Sequence, residues 1–225
     1  MARVAGLAYL LIFVGAGLSY GYVHTQLLVP GDTAATAGNI AVSGNMLSWC
    51  VSGSLIAFAC DIIVAAIFYL LLKPSGKLLS LLGAFFRLVQ TAVLGFNLIF
   101  LLAVVLLIKQ PQLLGGIAPD AMYSLLLHLY ESGFDVAMVF FGLHCVVVAW
   151  LMLRSPLFPQ WLGILVLLAG ATYLLDSFSK FLLPSLVSIT ANVVGITAVV
   201  AELSLCVWLL VKGVKEKSQL PALAQ

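Results

Sequence analysis

The 225-residue chain is 64% hydrophobic and only 8% charged, with a net charge of +2 and a mean hydropathy of +1.21. A soluble core has no use for so much apolar surface and a bilayer does, so an ordinary water-soluble globule is excluded. No basic run is long enough to grip nucleic acid, and Cys50, Cys60, Cys145 and Cys206 lie inside apolar stretches without paired spacing, which excludes a disulfide framework.

The first apolar run, 4–28, is preceded by a single Arg3 and carries Tyr20, Tyr22 and His24 where a cleavage site would need small residues. It therefore predicts a membrane span rather than a signal peptide. Its Gly17-x-x-x-Gly21 pattern, with Gly15 and Ala16 nearby, predicts a face that a neighbouring helix approaches closely. The polar link 30–45 has Asp32 placed as an N-cap and Gly44 as a stop, which predicts a short helix at the surface.

Five further apolar runs follow, at 46–72, 78–108, 121–153, 157–183 and 186–212, each longer than the ~20 residues a helix needs to cross hydrocarbon. They are separated by a tight turn at 73–77, a Gly/Pro loop at 109–119, a short link at Arg154-Ser155-Pro156, and a break at Pro184. Trp49, Trp161 and several tyrosines fall near the span ends, where amphipathic rings prefer to sit. The expected fold is all-α: one integral membrane bundle of six transmembrane helices over 1–215, with a flexible cytoplasmic tail at 216–225.

Charge placement sets the expected orientation. With the N-terminus inside, Arg3, Lys73, Lys77, Arg154, Lys212, Lys215 and Lys217 all fall inside, and only Lys109 and Lys180 outside. Both termini are thus expected to be cytoplasmic, in a multi-pass protein of the cell membrane.

Ionisable groups within spans are expensive and mark a site or a structural ion pair. Asp61 lies 12 residues from Lys73, and Arg87 lies 10 from Lys77. His144 lies 10 from Arg154, and Glu202 lies 10 from Lys212. At 1.5 Å per residue all four stand at one height, roughly 15–18 Å from the cytoplasmic flank. Arg87 cannot shed its proton, so a carboxylate partner is required, with Asp61 and Glu202 as candidates.

A second polar layer nearer the outer face comprises Asn97, Glu131, Asp135, Asp176 and Asn192, with His128 and Lys180 above. His128, Glu131 and Asp135 follow an i, i+3, i+7 spacing and share a helical face. This layer is rich in acid and poor in fixed cation, which a water-accessible pocket open to the outside, a bound cation or protonated, inert carboxyls would each satisfy, and the pocket is the expected one. Lys180, close to a helix end, is expected to reach towards the interface.

Metal ligation by this set would need paired histidines or a cysteine cluster, and neither is present, so no metal is expected. His128 and His144 are 16 residues apart on nearly opposite faces, which excludes them as a haem pair, and no other cofactor is expected. The chain also lacks GxSxG, P-loop and Rossmann patterns, so familiar acyl, phosphoryl or hydride chemistry has no visible apparatus.

The strings AGLAYLLIFVGAG, VPGDTAATAGNI, FRLVQTAVLGFNL, FDVAMVFFGLHCVVVAWLMLRSPLFPQWLGILVLLAGATYLLDSF and AELSLCVWLLVKGV resemble the prokaryotic domain-of-unknown-function 4386 family. The resemblance covers nearly the whole chain and includes Arg87, Asp135, His144, Asp176 and Glu202. It implies a six-helix integral membrane protein of a bacterium or archaeon and carries no activity. Three readings stay open. One is a small transporter or ligand-binding protein whose cavity opens outward, for a small molecule, lipid or cation. Another is an intramembrane enzyme using Glu131, Asp135 or His144 on a lipid or apolar substrate. The last is an accessory or sensor subunit with purely structural charges. The expected partner is the lipid bilayer, and self-association stays open.

Overall fold

The computed structural model of the chain describes residues 1–29, 32–43 and 45–213. The expected helix stop at Gly44, the cations Lys215 and Lys217, the tail 216–225 and the side chain of His24 fall outside the described residues. The helices are α1 (Ala2–Leu27), α2 (Thr33–Val42), α3 (Met46–Leu72), α4 (Lys77–Lys109), α5 (Pro119–Arg154), α6 (Gln160–Leu182) and α7 (Val187–Val211). Among the described residues six of them, all but α2, are long and apolar enough to cross a membrane. The protein is an all-α, multi-pass membrane protein.

Helix is the only open-ended structure such runs can take in hydrocarbon, because each backbone N–H finds its acceptor inside the same segment. Prolines and glycines then punctuate the chain. Pro111 follows α4, and Gly115 and Gly116 take positive φ values of 56° and 92°, which lets the loop reverse tightly. Pro119 opens α5 at its first turn, where its missing N–H costs nothing. Asp32 caps α2 by accepting from the Ala35 N–H at 2.8 Å, as its position predicts. Yet α2 does more than lie on the surface. Thr36 and Ile40 are buried, and Asn39 Nδ2 donates to the Leu27 carbonyl at 3.3 Å, tying α2 to the end of α1.

Each long helix packs against its neighbours in sequence, and α7 returns to α1, so the six form a closed ring in chain order. A Cβ added at Gly6 would stand 2.9 Å from the Leu210 backbone nitrogen, and one at Gly213 would touch Arg3. Both ends of the described chain therefore meet at one end of the bundle, called the terminal end below. The turn 73–77 and the link after Arg154 lie there too, while α2 and the loops after α4 and α6 lie at the far end. Two apolar cores result. The terminal core joins Phe68, Leu72, Leu151, Met152, Leu162 and Leu209 from α3, α5, α6 and α7. The far core joins Val23, Leu27, Leu98, Leu101, Val104 and Leu127 from α1, α4 and α5.

The α1–α3 crossing corrects one expectation. Gly17 and Gly21 face open space, with nothing within 4 Å of an added Cβ. The close approach belongs to Gly15, where an added Cβ would stand 2.5 Å from the Gly53 carbonyl oxygen. Ser19, one turn on, donates to the Cys50 carbonyl at 2.7 Å. Gly15 and Ser19 share a face that lies two residues, about 200°, from the face of Gly17 and Gly21. Gly15→Ala should therefore lower unfolding stability in detergent by about 1–3 kcal/mol through overpacking. Gly17→Ala should be neutral or stabilising by up to about 1 kcal/mol. Equal losses at both positions would mean that α1 presents the Gly17 face instead.

Candidate functional site

The ring has a polar centre to which every long helix contributes. Arg87 of α4 is 1% exposed, and its guanidinium is almost fully engaged. Nε donates to Asp61 Oδ1 of α3 at 2.9 Å, and Nη2 donates to the same oxygen at 2.5 Å. Nη1 donates to the Tyr9 hydroxyl of α1 at 2.9 Å and to His144 Nε2 of α5 at 3.2 Å. The rings of Tyr9 and Phe141 lie 5.0 and 5.4 Å from the guanidinium carbon, adding cation–π attraction in a site without bulk water.

These contacts assign the histidine's tautomer. His144 Nδ1 lies 2.8 Å from the Gly83 carbonyl, which can only accept, so Nδ1 carries the proton. Arg87 can only donate, so Nε2 presents its lone pair. Both ring nitrogens are thereby committed. Helix α4 reaches this position because Ser80, Gly83 and Ala84 keep its terminal half slim and buried. Ser80 further anchors it by donating to the Tyr69 carbonyl at 2.8 Å.

Glu202 departs from the expected cluster. It is half-buried and accepts from the Tyr173 hydroxyl at 2.7 Å, not from Arg87. It joins the centre indirectly, since the Tyr173 ring packs edge-on against Phe141 at 5.0 Å. The reason is competition: Asp61, Tyr9 and His144 already surround the guanidinium. Tyr9 and Tyr173 belong to this centre although counting from the flanking cations does not mark them. Their signal is a tyrosine deep in a span, away from the interfaces where such rings usually sit.

The outer set separates into pieces. Lys180 does not reach outward. Its ammonium lies 2.7 Å from Asp135 Oδ1 and 3.1 Å from Asp176 Oδ2, linking α5 and α6. Thr190 of α7 donates to Asp176 Oδ1 at 2.8 Å, and Ser179 lies 2.9 Å from Thr190. A lysine therefore bridges two acids of the layer that spacing alone left poor in cation. His128 and Glu131 are exposed, with His128 Nδ1 turned back on the Ser124 carbonyl at 2.7 Å. Asn192 is exposed and bonded to the Ser188 carbonyl of its own helix. The shared face of His128, Glu131 and Asp135 thus does not converge on one pocket. Among the described residues no group of three His, Cys, Asp or Glu side chains is arranged to hold a metal.

Asn97 stands apart from those acids. Its Nδ2 donates to the Tyr130 carbonyl at 2.6 Å, and its Oδ1 is buried without a hydrogen-bond partner. That oxygen lies flat against Gly133, where an added Cβ would collide with it. Gln90, on the same stripe of α4 between Arg87 and Asn97, also buries an unpartnered Oε1. Beside Asn97 opens a cavity of about 250 Å³ between α1, α3, α4 and α5. Ser19, Tyr20, Ser54, Asn97, Tyr130 and Phe134 line it among apolar neighbours. The Tyr20 and Phe134 rings stack at 4.7 Å on one wall. Two π-helical turns of α1, Phe13–Gly17 and Val23–Leu27, bracket the cavity-lining segment, a distortion that often accompanies sites.

The central ion pair yields a direct test. Asp61→Asn and Arg87→Leu should each cost about 3–5 kcal/mol in detergent unfolding, because each strands a buried charge. The double variant should cost clearly less than the sum, and additive losses would show the two charges to be energetically independent.

The comparisons with known proteins assign no activity. The chain is 30% identical over 165 residues to an uncharacterized protein of Archaeoglobus fulgidus, covering 73% of this chain and 84% of that one. No solved structure matches it. The model of the family described as Domain of unknown function (DUF4386) matches residues 4–213, from the first span to the last, and the chain belongs to that family.

Proposed function

We propose that this chain is a ligand-binding membrane protein whose ligand occupies the cavity between α1, α3, α4 and α5. The observation that carries this reading is the cavity itself, about 250 Å³, mostly apolar and walled by the Tyr20–Phe134 stack. An apolar cavity of roughly 150 Å³ already accommodates a benzene-sized molecule. This one suits a ring compound of somewhat larger size, oriented by Asn97, Ser54 and the two tyrosines. Arg87 and its partners close the bundle interior on the terminal side, because nearly all their hydrogen-bonding capacity is spent on one another. That favours a binding pocket, or a transport pathway held shut at mid-span, over an open pore.

The acid–base reading has less support. Asp135 is ion-paired, Glu131 is exposed, and both nitrogens of His144 are engaged. Orientation follows from charge. Arg3, Lys73, Lys77, Arg154 and Lys212 stand at the terminal end. At the far end Lys180 is neutralised, leaving Lys109. We therefore place the terminal end in the cytoplasm and the cavity towards the outside of the cell membrane.

Two measurements test this reading. A panel of one- and two-ring compounds, including indole, naphthol and a short-chain quinone, should raise the unfolding temperature of purified protein for at least one member. At a hundredfold excess over Kd the gain is about 2.7 kcal/mol. Ser54→Phe, which fills the cavity, should remove the response while the protein stays folded. An unresponsive wild type, or equal responses in both proteins, would refute the pocket. For topology, a fluorescent-protein fusion after the last helix should be active and an alkaline phosphatase fusion there inactive. The reverse is expected for fusions within 109–119, and exchanged results would invert the orientation.

A further inference from the structure

On the outside of the ring, towards the terminal end, α6 and α7 line a groove of about 510 Å³. Leu203, Val207 and Val211 line it together with Trp161, Trp208 and Lys212. From Leu203 to Lys212 the groove follows α7 for about 14 Å at 1.5 Å per residue, from the polar boundary well into the hydrocarbon. Its lining is thus graded: a cation at the top, two indoles at headgroup depth, and aliphatic side chains below. A phospholipid has the same gradation, with a phosphate, a glycerol ester region and an acyl chain.

Charge selects among phospholipids. Arg3, Lys73, Lys77, Arg154 and Lys212 stand at this end, and among the described residues it carries no carboxylate side chain. The other cations are less available for this role. Arg154 lies over its own helix neighbour Trp150 at 4.2 Å, and Lys73 lies over Tyr69 at 5.8 Å. Lys212 lines the groove itself.

We propose that the α6–α7 groove is a seat for one anionic phospholipid, with its phosphate on Lys212, its ester region against Trp161 and Trp208, and an acyl chain along Val207 and Leu203. The site is on the outside of the ring and is independent of the cavity beside Asn97, so either can fail without the other. Its role would be to tie α7, the helix that closes the ring, to the anionic leaflet.

Native mass spectrometry of the intact full-length protein, with added phosphatidylglycerol or phosphatidylcholine of identical chains, tests the seat. Wild type should retain one phosphatidylglycerol about fivefold more readily than phosphatidylcholine, the discrimination expected of one lysine near an anionic headgroup. Lys212→Gln should lose that preference, and Lys109→Gln, at the opposite end, should keep it. Ser204→Phe, which fills the groove, should lower retention of both lipids, with unfolding temperatures confirming that each variant is folded. Equal retention of the two lipids by wild type, or an unchanged preference in Lys212→Gln, would overturn the proposal. Displacement of the lipid by millimolar inorganic phosphate would overturn it too, since that would mark an anion site with no use for the groove.

Discussion

A guanidinium that cannot lose its charge, set in the middle of a bundle surrounded by lipid, is the constraint on which this architecture rests. Solvation by water is replaced by Asp61, Tyr9, His144 and two aromatic faces, drawn from three other helices. Leaving any of these positions empty would expose unmet charge to hydrocarbon. The ring must therefore close with α1, α3, α4 and α5 in one relative register. Phe141 carries the arrangement on to Tyr173 and Glu202, so α6 and α7 are drawn into the same centre. Dispersion alone would hold the helices together but would tolerate sliding; a directional, charged centre does not.

This centre divides the interior into unlike halves. On the terminal side, α4 is narrowed by Ser80, Gly83 and Ala84, and large apolar side chains of the other helices fill the space around it. On the far side the packing is looser. The far core draws on α1 to α5, while α6 and α7 are joined to α5 by the Lys180, Asp135, Asp176 and Thr190 network. Between these two attachments lies the cavity, against the stretch of α1 bounded by π-helical turns. Gly15 and Ser19 pin α1 to Gly53 and Cys50 at the cavity's edge.

The two layers of titratable residues therefore have different characters. The central layer is enclosed and mutually satisfied, which suits it to fixing geometry and sealing the interior. The far layer sets two carboxylates against one lysine, with the Thr190 hydroxyl donating to Asp176, and it stays partly accessible. Among the described residues, Gln90 Oε1 and Asn97 Oδ1 are the buried side-chain acceptors without a hydrogen-bond partner, and both lie along one stripe of α4. Unmet acceptors in a dry interior are costly, and Asn97 Oδ1 is held in that state by its contact with Gly133.

Much of this was legible in the chain. Six apolar runs of sufficient length dictate six spanning helices, because hydrocarbon permits no alternative for the backbone. Equal distances from the flanking cations put Asp61, Arg87 and His144 at a common depth, since the helical rise per residue is constant. What spacing cannot supply is azimuth: which way each side chain points once six helices have chosen their neighbours. Hence Glu202 has the right height but meets Tyr173, and Asn192 and Glu131 face outward. Likewise Gly15, not Gly17, meets the neighbouring backbone. Lys180 turns inward for the same reason, since two carboxylates on α5 and α6 offer more than the interface does. Depth is a one-dimensional quantity and can be counted along a sequence; the convergence of side chains on an axis is set by the packing of all the helices together, and only the folded ring decides it.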